Sequence, residues 1–232
     1  MKRVLITGGN KGIGLEISKL FHINGFEVIV VARDFSTFPS ELKAAVKQVE
    51  FDLRETEKIP ELVKEVGDID ILINNSGIMN SFPFDDYPKD KKEEIFKINL
   101  EAPVTLIELF SKGMVNKKKG RIVSIASIAG EIGHPDIWYG ITKAGVINFT
   151  KSFSKLLGPK GIVINCVAPS PVETDMYQAI PEERRKTILS NTVLNRPAKP
   201  QEVAQVAYWL ATDSPEYVNG TCIHIDNTAF LR

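Results

Sequence analysis

Cysteine, histidine and tryptophan are scarce in this chain, with two, three and two copies in 232 residues, which leaves little material for a disulfide framework or a histidine-rich metal centre. Cys166 and Cys222 each fall in an apolar run, so buried free thiols in a reducing compartment are expected. The three histidines are scattered, and no metal site is expected from their spacing. Net charge is absent as well. Lys+Arg and Asp+Glu both number 29, which excludes a global electrostatic pull toward nucleic acid or an anionic membrane. The basic run from Lys117 to Arg121 reads as a solvated loop ahead of a strand. No stretch of 18 apolar residues occurs, and Met1-Lys2-Arg3 leads directly into a first strand, so neither a membrane span nor a leader is expected and the cytoplasm is the expected location.

What is present is a rhythm. Short β-branched runs at Val4–Ile6, Glu27–Val31, Val49–Phe51, Ile69–Ile73, Arg121–Ile125, Val163–Val167 and Cys222–Ile225 alternate with helical periodicity over Ile13–Asn24, Glu57–Val66, Asp90–Asn116, Trp138–Leu157, Glu182–Ser190 and Gln201–Thr212. Seven strands in βα order predict one α/β domain over residues 1–232, a Rossmann-type doubly wound parallel sheet with helices on both faces. Right-handed crossovers then put ligands at the carboxyl ends of the strands. Between Phe35 and Lys47, where Pro39 interrupts a short segment, only a stub of helix is expected.

Two motifs carry chemistry. Thr7-Gly8-Gly9-Asn10-Lys11-Gly12-Ile13-Gly14 follows the first strand and opens the first helix, a context in which missing Cβ atoms let backbone approach a pyrophosphate at the positive end of a helix. Twelve residues separate Ser127 from Tyr139, and Lys143 follows four later. A phenol with an ordinary pKa of about 10 exchanges protons poorly at neutral pH unless a positive charge sits beside it. On one helix, positions i and i+4 share a face, which brings the Lys143 ammonium near the Tyr139 ring. Tyr87 and Lys91 have the same spacing, but Pro88 disfavours helix at Tyr87 and the pair is discarded. The helix carrying Tyr139 is expected to bury Ile141, Ala144, Val146, Ile147 and Phe149.

The chain resembles the classical short-chain dehydrogenase/reductases from Arg3 to about Ile225. Five motifs in the family's order carry the resemblance: Thr7-Gly8-x-x-x-Gly12-x-Gly14; Asp52-Leu53; Asn74-Asn-Ser-Gly77; Asn99 in Lys97-Ile-Asn-Leu100; and Ser127 with Tyr139 and Lys143. The resemblance implies that Tyr139 exchanges a proton with the substrate oxygen, that Ser127 hydrogen-bonds that oxygen, and that Lys143 lowers the tyrosine pKa and binds the nicotinamide ribose. It implies further that Asn99 positions a water linking Lys143 to solvent. The cofactor would lie on Gly8, Asn10, Lys11, Gly12, Ile13 and Gly14. Asp52 would meet the adenine, Asn74 and Gly77 would line the cleft, Thr174 would contact the carboxamide, and Leu53, Pro169 and Val172 would belong to the same cofactor site, as would Arg33, Tyr139 and Lys143.

NADP(H) is favoured over NAD(H), which stays open. NAD-preferring folds usually place a carboxylate at the end of the second strand, where this chain has Ala32 followed by Arg33, with Lys11 as a second cation for a 2′-phosphate. Asp34 works against that reading, since it could pair with Arg33 or take the ribose itself. Three departures from the family pattern stand out: the interval from Ser127 to Tyr139 is one residue short, Ser170 replaces a glycine after Pro169, and Asn227-Thr228 replaces a Gly-Gly pair. The stretch from Val172 to Tyr208 is similar to the lid region of 3-oxoacyl-acyl-carrier-protein reductases. Residues 176–197 would form a small substrate lid, with Met176, Tyr177, Ile180, Ile188 and Leu189 as its apolar cover. The expected substrate is a small carbonyl or alcohol compound, first a ketone such as a 3-oxoacyl thioester. A polyol, sugar or cyclic alcohol is the alternative, and a weakly catalytic nucleotide-binding subunit is a second one. A homodimer or homotetramer is expected, seamed by the helices Asp90–Asn116 and Trp138–Leu157, with Thr228–Leu231 at a further interface.

Overall fold

The structure is a computed structural model and describes residues 1–230. Seven strands, β1 (Arg3–Thr7), β2 (Glu27–Ala32), β3 (Lys47–Glu50), β4 (Ile71–Asn74), β5 (Gly120–Ile125), β6 (Ile162–Pro169) and β7 (Cys222–Ile225), form one sheet. Its order is β3-β2-β1-β4-β5-β6-β7, and every pairing is parallel. The order reverses between β1 and β4, the switch point at which crossovers leave toward opposite faces and open a crevice.

Strand alternation divides the core in two. Leu5, Leu72, Ile122 and Ile164 point to one face, where α3 (Ile59–Val66), α5 (Ala102–Asn116) and α6 (Ile137–Leu157) cover them. Ile6, Ile73, Val123 and Val167 point to the other, covered by α1 (Gly12–Ile23) and α9 (Pro200–Thr212). Both faces are dry, so the central strands are apolar in near-continuous runs rather than at alternate positions, with Ser124 and Asn165 as buried polar exceptions. α2 (Ser40–Lys43) is the expected stub. α4 (Lys89–Phe96), α7 (Asp175–Gln178) and α8 (Glu182–Ser190) complete the set of α-helices.

Two sequence expectations need correction. The single helix Asp90–Asn116 is interrupted by a π turn, Lys97–Glu101, in which the Ala102 N–H reaches back five residues to the Lys97 carbonyl. Pro103 lacks the N–H that would meet the Asn99 carbonyl four residues back, which is the local reason for the widening. On α6, Ile141 and Ala144 face outward, and Thr142 and Lys143 are buried instead. The inward face is set by Tyr139, Lys143, Val146, Ile147 and Thr150, spaced at three and four, and Ile141 lies off it. The two departures at glycine positions resolve differently. Ser170 keeps an ordinary φ, whereas Asn227 and Thr228 take φ of 48° and 63°. For the β-branched Thr228 that region costs roughly 1–2 kcal/mol. Of the apolar ending, Leu231 lies outside the described residues. No helix among the described residues is long and apolar enough to cross a membrane.

Candidate active site

The phosphate loop is built by β1 running into α1. Lys11 is extended and ends the loop, and Gly12 enters the helix with φ of 53°. A Cβ on Gly14 would run into the Gly8 carbonyl oxygen, so only glycine permits the loop to fold this tightly. The loop is pinned from the neighbouring strand. Asn75, one residue past the end of β4, donates through Nδ2 to the carbonyls of Thr7 and Gly8, both at 3.0 Å. Thr7 Oγ1 in turn accepts the N–H groups of Asn75 and Ser76 at 3.0 and 3.1 Å. The sequence reading singled out Asn74 and Gly77 and passed over Asn75 and Thr7. Strand parity was the available signal: Asn74 closes β4 with its side chain buried, so Asn75 must turn toward the loop.

Around this loop the remaining expected cofactor residues are gathered. Ile13 packs partly on the core, and Asn10 Nδ2 donates to the Asp34 carbonyl at 2.8 Å. Lys11 is not directed at the end of β2 as expected; its Nζ pairs with Asp175 at 2.9 Å, because α7 begins just across the loop. The Thr174 methyl would stand 3.3 Å from a Cβ on Gly12. Val172 is buried and bridges Ala198, and Pro169 closes β6. Asp34 binds Ser36 through both carboxylate oxygens, and those bonds hold its pKa below the usual carboxylate value. It therefore does not pair with Arg33, which is exposed and in no ion pair among the described residues. Asp52 accepts from the Arg54 main-chain N–H and Nε at 2.9 and 2.8 Å, and the Arg54 guanidinium holds its pKa low. Leu53 beside it is buried.

Across the crevice, α6 supplies Tyr139 and Lys143 one turn apart, both buried. Burial pushes the Tyr139 phenol up to about 12, against the pull of a hydrogen bond from Ser127 and with a further push from the Asp136 carboxylate. Lys143 is driven down to about 8 by burial. Its Nζ lies 5.7 Å from the Tyr139 ring centroid and donates to the Ile125 carbonyl at 2.8 Å. Lys143 is thus close to the phenol but turned to the end of β5, and the tyrosine pKa is raised by burial rather than lowered as expected from sequence. A Cβ on Gly77 would sit 3.3 Å from Nζ, which makes Gly77 the reason the lysine tip has room.

The π turn presents Asn99 to this cluster. Its Oδ1 accepts the Ile78 N–H at 2.9 Å, and its Nδ2 donates to the Ile78 carbonyl at 2.9 Å and to Thr142 Oγ1 at 3.0 Å. Next to it lies a small cavity, about 10 Å³ of free space for a water's centre, lined by Asn99, Lys143, Ser76, Asn74 and Ser124. The Asn74 amide and the Ser124 hydroxyl, neighbours in register on β4 and β5, are buried there and have no protein partner among the described residues. Size and polar lining fit one water. Asp136, which sequence reasoning missed, caps α6. It accepts the Tyr139 N–H at 3.1 Å through Oδ1 and the Asn80 N–H at 2.8 Å through Oδ2. An Asp three residues ahead of a helical residue is the recognisable signal. The discarded Tyr87 sits outside α4, its hydroxyl accepting from Asn80 Nδ2 at 2.9 Å.

A phosphate loop at a sheet switch point, with a buried Tyr–Lys pair and a serine across the crevice, has a counterpart among known proteins. The family model described as short chain dehydrogenase matches residues 2–185. The chain is a short-chain dehydrogenase/reductase. The 3-oxoacyl-[acyl-carrier-protein] reductase of Thermotoga maritima is 35% identical over 240 aligned positions, covering 97% of this chain and 96% of the relative. That of Vibrio harveyi is 31% identical over 238 positions, covering 99% and 98%. Among solved structures, 4-hydroxyisoleucine dehydrogenase complexed with NADH superposes with a TM-score of 0.93 at 27% identity, covering 99% of this chain and 98% of the other. As a member of this family the chain is an oxidoreductase acting on CH–OH and keto groups, and its cofactor class is NAD(P)(H). The donor set fits such a dinucleotide, since the glycine loop opens α1 with Gly12 at φ 53° and Gly14 packed on the Gly8 carbonyl, leaving main-chain N–H groups at the positive end of the helix.

One gathering of potential ligands was not legible from spacing. Glu131, Cys222 and His224 bring their ligand atoms within 4.8 Å of one another, with His224 Nε2 3.0 Å from Glu131 Oε1. Cys222 also pairs in register with Cys166.

Proposed function

We propose that the chain moves a hydride between NADP(H) and a carbonyl–alcohol pair, running as the reductase of a ketone such as a 3-oxoacyl thioester. The observation that carries this reading is Tyr139 buried against Ser127, with Lys143 one turn on and its tip over Gly77. The dinucleotide, when bound, supplies the hydride. Tyr139 gives its phenolic proton to the substrate oxygen, and Ser127 donates to the same oxygen as charge builds on it. Lys143, as an ammonium, stabilises the phenolate left behind and binds the ribose. Asn99 holds the turn beside the water-sized cavity through which Lys143 is reprotonated.

Gly8, Asn10, Lys11, Gly12, Ile13 and Gly14 hold the pyrophosphate in this reading, and Asp52, Leu53, Asn74, Pro169, Val172 and Thr174 complete the site. Arg33, exposed and in no ion pair among the described residues, takes the 2′-phosphate in this reading; that free cation supports NADP(H) over NAD(H). Residues 176–197 act as the lid, with Tyr177 as its buried anchor. The exposed Ile141 and Leu156 on α6 support a homodimer or homotetramer through α4, α5 and α6. The substrates in the names of the curated relatives support the thioester, and the structural neighbour's name supports a second reading, oxidation of a hydroxylated small molecule.

The test is NADPH oxidation with a short 3-oxoacyl thioester, run beside NADH and beside Arg33→Ala. Turnover favouring NADPH, with the preference lost in Arg33→Ala, is expected; equal losses with both nucleotides would remove Arg33 from the site.

A further inference from the structure

Arg184 projects from α8, is half-buried, and forms no ion pair among the described residues. Its recorded polar neighbour is His134, whose Nε2 lies 3.5 Å from Nη2 of the arginine. That is the outer limit of a hydrogen bond, and a guanidinium carries five N–H donors, so most of its capacity is unused. His134 belongs to the shortened loop ahead of α6, and its ring centroid is 5.2 Å from that of Tyr139. The carboxylate that could neutralise the pair is turned away, because the Asp136 oxygens are taken by the Tyr139 and Asn80 N–H groups. Arg185, next along α8, faces Gln178 and the Tyr177 ring instead.

The imidazole Nδ1 is satisfied in either tautomer. Nδ1 lies 3.1 Å from the Asp136 carbonyl oxygen and 3.1 Å from the Asp136 N–H, so it can donate to one or accept from the other. In the first state Nε2 accepts from Arg184; in the second Nε2 carries the proton and faces the guanidinium, so that both groups are donors with no acceptor between them. Burial keeps the ring neutral, which leaves both tautomers accessible. A group that meets two convergent donors and one uncompensated positive charge is an oxyanion, and a planar carboxylate matches the guanidinium fork.

We propose that Arg184 and His134 form a carboxylate subsite, and that the substrate is a short oxo acid with its ketone at Tyr139 and its carboxylate on Arg184. This rests on the reading of Tyr139 as the group that meets the reacting oxygen. It sets ketones bearing a free acid within a few bonds of the carbonyl ahead of the 3-oxoacyl thioester, which carries none.

The test is calorimetric binding of 3-oxobutanoate and 4-oxopentanoate, each against its methyl ester, to the protein with NADP⁺ present. Each acid is expected to bind roughly 10- to 100-fold tighter than its ester. Arg184→Gln should erase that preference without weakening the esters, and Arg184→Lys should restore part of it. α8 buries no residue, so these substitutions leave the fold intact. Equal binding of acid and ester, or a preference that survives Arg184→Gln, would overturn the subsite. Turnover is read separately. Reduction of the esters with no preference for the acids would leave the reductase reading standing without the subsite, whereas Arg184-dependent acid binding without any turnover would do the reverse.

Discussion

Replacing Asn75 tests how the phosphate loop is held. Its amide donates two 3.0 Å bonds to the carbonyls of Thr7 and Gly8, and no other side chain among the described residues does so. Alanine removes both donors and leaves two half-buried carbonyls to water. At about 1–2 kcal/mol for each lost bond, Asn75→Ala should cost about 2–4 kcal/mol. For a chain of this size that corresponds to a fall in Tm of roughly 4–16 °C. Nucleotide affinity should fall with it, because the loop that would meet the pyrophosphate is no longer fixed. Asn75→Asp is the sharper variant. It is nearly isosteric, yet it sets a carboxylate oxygen against two carbonyl oxygens, so it should be less stable than Asn75→Ala. Thermal melts with and without NADPH decide the matter. An aspartate variant as stable as wild type, or more stable than the alanine variant, would refute the claim that donation from this side chain holds the loop.

Two further outcomes follow from ionisation. Lys143 titrates at about 8, below its ordinary value, and its ammonium is the form that stabilises a developing phenolate; the rate of ketone reduction should therefore fall as pH rises through about 8. Tyr139, at about 12, should give no break in that range, and a pH–rate profile of kcat flat from 7 to 9 would remove Lys143 from this role. Glu202 is held down to about 2, first by Arg196 and then by the Lys199 N–H, so its contribution to stability is present above the ordinary carboxylate pKa and fades as pH falls toward 2. Both partners are about two-fifths exposed, and with that screening Glu202→Gln should cost only about 0.5–1 kcal/mol at pH 7, read as a Tm difference that narrows near pH 3.

The sheet was legible because both faces are buried. Val4–Ile6 has no polar position and Val163–Val167 only Asn165, the near-continuous apolar reading of parallel strands between two helical layers. The glycine loop was legible for a related reason, since close backbone approach leaves no substitute for Gly14. The π turn was not, because hydrophobic periodicity runs straight through Asp90–Asn116 and only Pro103 hints that the ladder slips at Asn99. Side-chain direction was the other blind spot. Spacing put Lys143 beside Tyr139, but spacing does not say that its tip bonds Ile125, that Lys11 crosses to Asp175, or that Asp34 folds back on Ser36. Each of those is decided by residues more than ten positions away or by a local turn. For the same reason, three scattered histidines concealed the contacts His134 makes with Arg184 and His224 makes with Glu131.

The central claim is that Tyr139 is the proton donor in a nicotinamide-dependent reductase, and Tyr139→Phe tests it most directly. The ring is 8% exposed and phenylalanine keeps its packing, so only the hydroxyl is lost. NADPH binding by the variant should match wild type, while NADPH oxidation with a ketone substrate should drop by a factor of about 10² or more. Turnover retained in Tyr139→Phe, with nucleotide binding intact, would contradict the account.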